Sequence, residues 1–219
     1  MSNQKIIQAV KTSLSLPRIA TYENAVVVAG DVGGFALALY DWNAQVSGAF
    51  MAPLHVSEVV IRNAVSDALT SVYGVRWPWE RAFETSLPNP SQGYNPRIDL
   101  RNICRRQVTT GKVIPELKFV FWQKMFTSRH DVRLWDVHLR SVLPNLDPAK
   151  TVAQLRQEIY TDLEHVRLLR NRIAHHEPIF RRALADDFDK ITALIQFRCN
   201  LTADWMMQGQ RVTAYLNRP

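Results

Sequence analysis

The chain has 219 residues, of which 47% are hydrophobic and 10% aromatic, enough apolar material for a full core, which excludes a disordered or fibrous class. Its 27 Lys and Arg against 20 Asp and Glu give a net charge of +7, which suits a polyanionic partner such as nucleic acid, although a solvated basic surface has the same charge. Its two cysteines cannot form a disulfide framework, and its apolar runs fall short of the ~20 residues that a membrane-spanning helix needs. We therefore expect a cytoplasmic protein without membrane association.

Apolar side chains recur at three- and four-residue intervals along most of the chain, which predicts helices, and the period of two that indicates a strand is not evident. Residues 74–97 contain four prolines and two glycines, which predicts an irregular loop region with about one helical turn. We expect an all-α helical bundle without significant sheet, in one domain over 1–219. In chain order, the predicted helices span 3–14, 18–28, a stretch through Trp42, 45–73 with a possible kink at Pro53, 98–109, 113–126, 132–142, 151–176 and 183–208.

One arginine interrupts the apolar face of the predicted helix 151–176. Arg170 comes four residues after Val166, where the spacing of the preceding apolar residues calls for another apolar side chain. Because a guanidinium keeps its proton, burying it without a partner is costly. We expect Arg170 to face a polar pocket, an acidic partner or a second subunit, with pairing to Glu164 as the ordinary alternative. Such a departure from a local rule tends to mark a functional site.

The same helix is expected to end near His176, because Glu177 precedes a proline and that position disfavours helical geometry. His175 and His176 then lie in the last turn, where unpaired carbonyls favour a protonated imidazole by about 0.3–1 kcal/mol, and up to ~2 kcal/mol in sheltered geometry. Asn171 lies one turn before His175, so their side chains can meet. An imidazole that moves a proton and a guanidinium that binds phosphate can together cleave RNA through a ribose 2′-hydroxyl, without a metal.

Residues 163–182 hold five arginines and two glutamates, a local excess of three positive charges that would attract a phosphodiester chain. We assign RNA binding to Arg167, Arg172 and Arg181. Among the tryptophans, Trp122 and Trp135 lie between apolar neighbours and are expected in the core. Two others, Trp77 and Trp79, are expected to anchor the loop region to the bundle, with exposed base stacking as the alternative.

The string from Arg170 to His175, RNRIAH, resembles the motif of HEPN ribonucleases. In that motif four residues separate an arginine from a histidine, and the first of the four is polar. Residues 168–180, LLRNRIAHHEPIF, are similar to the corresponding stretch of Abi-like proteins, the abortive-infection group related to AbiD and AbiF. The segments 38–69 and 116–126 and the helix around Trp135 resemble the same group. The resemblance covers about residues 15–205, which identifies the chain as similar to a single Abi-like HEPN domain.

HEPN ribonucleases are helical and dimerise so that two copies of the motif face each other in one cleft. The resemblance therefore implies a homodimeric, metal-independent endoribonuclease that cleaves single-stranded RNA in phage defence, with no cofactor. The biological setting is abortive infection or a toxin controlled by an RNA or protein antitoxin. In this interpretation His175 is the general acid or base, Arg170 holds the scissile phosphate, and Asn171 orients His175 or contacts the phosphate. His176 shares the proton transfer, binds phosphate or faces solvent, and it replaces His175 if the helix unwinds early.

Three further features of the sequence bear on this resemblance. Arg62 and Asn63 resemble a second start of the motif, but Asp67 stands where the histidine would be. Glu58, Arg62 and Glu164 are expected to support the cleft, although the spacing of the first two equally suits an intrahelical salt bridge. Some HEPN proteins carry a tyrosine two positions after the histidine that a partner nucleotidyltransferase modifies. Glu177 occupies that position here, which argues against such a partner.

A non-catalytic RNA-binding or scaffold component of a defence complex is the alternative function.

Overall fold

The structure, a computed structural model, describes residues 3–26 and 32–217. Every regular element in these ranges is helical and no strand occurs in them, which confirms the all-α prediction. None of these helices combines the length and apolar character needed to cross a membrane. The helices are α1 (Asn3–Leu14), α2 (Leu16–Glu23), α3 (Val32–Tyr73), α4 (Arg81–Ser86), α5 (Pro96–Cys104), α6 (Thr110–Glu116), α7 (Phe119–Met125), α8 (Asp136–Val142), α9 (Val152–Ala174), α10 (Leu184–Arg198) and α11 (Asn200–Gly209).

Helix α3 is the centre of the bundle and packs against α2, α7, α8 and α10. It continues without a break through Pro53, although the sequence predicted two helical stretches and a possible kink. Phe50 and Leu54 are both buried, and Phe50 packs edge to face on Phe188 of α10. Tertiary packing on both sides of the proline therefore holds residues 45–73 as one helix, because most helical stability in proteins comes from such packing.

Several predicted boundaries were wrong. Helix α2 ends at Glu23 rather than at residue 28, and residues 27 and 28 lie outside the described ranges. The predicted helix 113–126 is two helices, because Leu117 and Lys118, two and three residues after Pro115, have extended backbone. The predicted helix 183–208 is also two, since Cys199 is extended (φ −162°, ψ 114°). This break turns the chain so that α11 packs back on α10.

The loop region 74–97 contains a 3₁₀ turn and α4, more helix than predicted. Trp77 is fully buried and packs edge to face on Phe83 and Trp122. The indole N–H of Trp79 donates to the carbonyl of Cys104 at 3.2 Å. The prediction that these tryptophans anchor the loop is confirmed, as is the burial of Trp122 and its counterpart at position 135.

Helix α9 carries the candidate site at its carboxyl end. A capping box starts the helix: the Thr151 hydroxyl accepts from the N–H of Gln154 at 3.2 Å, and the Gln154 side chain accepts from the N–H of Thr151 at 2.8 Å. The apolar face packs against α7, α8 and α10. Its buried apolar residues are Leu155, Ile159, Leu163, Val166, Leu169 and Ile173.

Candidate functional site

Helix α9 ends in a Schellman turn that places His176 in the left-handed region. The N–H of His176 donates to the carbonyl of Ile173 at 3.0 Å, and the N–H of Glu177 donates to the carbonyl of Arg172 at 2.8 Å, the two bonds of this motif. His176 has a φ of 54° at the position where glycine is usual. The predicted end of the helix is confirmed, with His175 as its C-cap.

Two side chains that are distant in sequence hold this turn. The Arg18 guanidinium of α2 donates to the carbonyl of His176 at 2.8 Å. The Asn43 side chain of α3 accepts from the N–H of Ile179 at 2.8 Å. Sequence analysis missed both residues, since 158 and 136 positions separate them from their partners and neither belongs to a recognisable local motif.

Two adjoining grooves flank the turn. The α3 groove has a volume of about 380 Å³ and lies between α2, α3 and the end of α9. The α2 groove has a volume of about 330 Å³ and includes Arg18. Tyr22, His176 and Glu177 line both, so the two grooves adjoin at the turn. The other residues that line the α3 groove are Tyr40, Asn43, Ala44, Ser47, Gly48, Met51, Ile173 and Ala174.

Arg170 lies in the core-facing sector of α9, but its side chain is exposed. At about 100° per residue, it projects within about 20° of Ile159 and Leu163, both of which are buried. At this last turn Leu169 and Ile173 make the core contacts instead. Of the three surroundings expected for Arg170, neither a polar pocket nor an acidic partner is found among the described residues, and a second subunit stays a prediction. The bundle leaves this side of the turn uncovered, and no described residue forms a hydrogen bond or ion pair with the guanidinium.

Glu164 is paired with Arg167 rather than with Arg170. The Arg167 Nε and Nη2 donate to the two carboxylate oxygens at 3.0 and 2.6 Å, and Gln123 of α7 donates to the same carboxylate at 2.5 Å. The hydrogen bond from Arg167 lowers the pKa of the Glu164 carboxyl below its ordinary value, against the opposing effect of burial. Glu164 therefore joins α9 to α7, and its ion pair offsets the charge of Arg167.

The other two predicted RNA-binding arginines differ in their surroundings. Arg172 donates through Nε and Nη2 to the carbonyl of Pro178 at 3.0 and 2.7 Å, so it holds the turn after α9. Arg181 is exposed, and its guanidinium lies 5.5 Å from the centre of the Phe180 ring. Of these two, Arg181 is the one whose charge is available to a ligand.

Glu58 and Arg62 form an intrahelical ion pair on α3. Arg62 also lies 3.5 Å from the carbonyl of Pro115 in α6. Neither residue lines either groove. The intrahelical salt bridge that their spacing suited is therefore confirmed, and Arg62 also joins α3 to α6, whereas support of a dimer cleft stays a prediction.

His175 is exposed and Asn171 is half-buried. On an ideal helix His175 projects about 40° from Asn171 and about 140° from Arg170. One chain therefore places His176 and Arg18 at the grooves, while Arg170 and His175 point to different sides of the helix end. Within residues 3–26 and 32–217, no three His, Cys, Asp or Glu side chains are grouped as metal ligands.

The comparisons with known proteins assign no family. No family model, no curated protein and no solved structure matches the chain. The all-α architecture and the geometry at the end of α9 are therefore the observations from which a function can be inferred.

Proposed function

We propose that the protein is a metal-independent endoribonuclease of the HEPN type, which cleaves single-stranded RNA as a homodimer in phage defence. The observation that carries the proposal is Arg170, a cation in the core-facing sector of α9 that the bundle leaves uncovered. No carboxylate in the described ranges neutralises it. A second subunit placed over this sector would complete the site, because a second copy of the motif would then face Arg170 and the two copies would form one cationic cleft for a phosphate.

In this mechanism the ribose 2′-oxygen attacks the phosphorus and the bond from phosphorus to the 5′-oxygen breaks. The His175 imidazole accepts the 2′-hydroxyl proton, and the imidazolium so formed gives a proton to the departing 5′-oxygen, which leaves a 2′,3′-cyclic phosphate. Arg170 binds a non-bridging oxygen and stabilises the charge that builds there. Because Arg170 and His175 project about 140° apart on one helix, we assign Arg170 of one subunit and His175 of the other to the same phosphate.

The remaining exposed cations draw RNA to the cleft. Arg18 and Arg181 are both exposed near the end of α9, and the chain has a net charge of +7. Binding through such groups weakens as salt rises, because condensed counterions are released from the phosphates. Arg167 and Arg172 contribute less to this attraction, since their guanidinium groups are engaged inside the protein.

The first test is cleavage of single-stranded RNA in the presence of EDTA. Arg170→Ala and His175→Ala should each lower the rate by about 10²–10³-fold while leaving stability within about 0.5 kcal/mol, because both side chains are exposed. Arg105→Ala and His165→Ala are the matched controls, since they remove an exposed arginine and an exposed histidine elsewhere. If both motif variants cut as fast as the wild type, the proposed site is wrong. Binding without cleavage by the wild type favours the non-catalytic RNA-binding alternative.

A second test addresses the shared site. Arg170→Ala and His175→Ala chains are mixed so that they exchange subunits. If the two groups act across the interface, mixed dimers contain one intact pair, and roughly a quarter of the wild-type activity returns in a statistical mixture. If both groups act within one chain, the mixture stays inactive. Sedimentation analysis of the same samples establishes whether the dimer is present.

A further inference from the structure

The α3 groove contains a polar group that the cleavage chemistry does not use. Asn43 is only 6% exposed and lines this groove. Its Oδ1 accepts from the N–H of Ile179, whereas its Nδ2 donates to no residue in the described part of the chain. This Nδ2 is not among the side-chain donors that are sealed from solvent without a partner, so it opens to the groove that Asn43 lines. The Nδ2 group is therefore available to an acceptor on a ligand in the groove.

The other walls of the groove suit a flat ring with a polar edge. Tyr22 and Tyr40 pack edge to face, with ring centres 5.0 Å apart, and Met51 and Ile173 add apolar surface. Burial, reinforced by Tyr40, raises the pKa of Tyr22 to about 12, so this phenol stays protonated near neutral pH. The volume of about 380 Å³ lies within the range of roughly 300–1,000 Å³ that small-molecule sites occupy.

The adjoining α2 groove supplies a phosphate partner. Arg18 lines it, is exposed, and uses Nη1 to hold the carbonyl of His176. The other guanidinium nitrogens of Arg18 point to no acceptor in the described ranges. A ring in the α3 groove that carries a sugar phosphate would thus place the anion toward a preorganised guanidinium.

We propose that the α3 groove binds one unpaired base of the RNA substrate, with Asn43 donating to the base edge and Arg18 holding its phosphate. The inference depends on the proposed nuclease function and deepens it, because the α3 groove would select the base that lies next to the cleaved phosphate. The base must be unpaired, because a base in a duplex is stacked and its edge is occupied.

Gly48 offers a way to fill the groove without disturbing the core. It lines the α3 groove from an exposed turn of α3, and a Cβ added there meets no atom within 4 Å. The side chain in Gly48→Leu therefore occupies the space of the base, and loss of a helical glycine favours the helix. Gly111→Leu is the matched control, since Gly111 is an exposed helical glycine of α6 with equally open surroundings. Asn43→Asp keeps the acceptor for the N–H of Ile179 and removes the Nδ2 donor.

The experiment titrates the full chain with each of the four ribonucleoside 5′-monophosphates and also maps cut sites on RNA of random sequence. We expect at least one nucleotide to bind the wild type and Gly111→Leu, and Gly48→Leu and Asn43→Asp to weaken that binding by at least about tenfold. In the cut-site map, the wild type should prefer one base at a fixed position, and both groove variants should lose that preference.

The two proposals fail separately. A base preference that Gly48→Leu leaves unchanged overturns the groove inference while the nuclease proposal stands. If the wild type cuts no RNA, the nuclease proposal fails and the titration still decides the groove. Nucleotide binding that Gly48→Leu abolishes supports the inference, whereas equal binding by both proteins, or binding of no nucleotide by the wild type, overturns it.

Discussion

Replacing His176 with glycine should stabilise the fold even though it removes a side chain. His176 has a φ of 54°, where the Cβ of an L-residue costs roughly 1–2 kcal/mol and glycine is unstrained. The greater freedom of glycine in the unfolded chain offsets roughly 0.4–1 kcal/mol of this gain. The imidazole is exposed and bonds to no described residue, so little else is lost. The net gain in the free energy of unfolding is expected to be about 0.5–1 kcal/mol.

Urea denaturation of both proteins measures the difference, and the melting temperature should rise by about 1–4 °C in a chain of this size. His175→Gly is the matched control. His175 has φ −93° and ψ 9°, which other residues adopt, so glycine there only adds freedom to the unfolded state. That variant should lose about 0.5–1 kcal/mol. If the two variants shift stability in the same direction, left-handed strain at His176 is refuted as the cause.

The same substitution separates stability from function. His176 lines both grooves, so His176→Gly should lower RNA cleavage by about tenfold or more if the imidazole moves a proton or binds phosphate. A variant that is more stable and less active indicates backbone strain retained at a functional position. Equal activity in the more stable variant would assign His176 no part in the chemistry.

Three further predictions concern the fold and are checked by chemical denaturation. Arg182→Ala should destabilise by about 3 kcal/mol, because Asp187 is 3% exposed and loses both bonds from the guanidinium, at 2.7 and 2.6 Å; a smaller loss than about 1 kcal/mol would contradict this. Burial lowers the pKa of His130 from 6.5 to about 4. As pH falls, this imidazole is therefore protonated in the unfolded chain before it is protonated in the folded protein. The free energy of unfolding should fall by about 3 kcal/mol between pH 6.5 and pH 4. His130→Gln should flatten that dependence, and an unchanged slope would refute it. Thr151→Ala should cost about 1 kcal/mol, since it removes the hydroxyl that caps the N–H of Gln154, and no loss would show the cap to be dispensable.

Features that depend on residues a few positions apart could be predicted from the sequence. The capping box at Thr151 involves positions three apart, and the end of α9 near His176 follows from the proline two residues later. The helical character of the chain follows from the spacing of its apolar residues. The buried apolar residues of α9 have this same spacing of three and four positions. In each case the deciding interaction lies within about one helical turn, so no knowledge of the remaining chain is required.

Only the tertiary structure decided which of these helix faces is covered. Periodicity fixes the direction of Arg170 around its own axis, but the neighbouring helices determine that this direction is open at the last turn of α9. The break at Cys199 and the continuity of α3 through Pro53 likewise depend on packing that no local pattern encodes. The grooves exist because Arg18 and Asn43 meet the end of α9 across more than 130 residues of chain. The spacing of residues along a helix sets the direction in which each side chain projects. The packing of the helices decides whether a neighbour covers that direction or leaves it open.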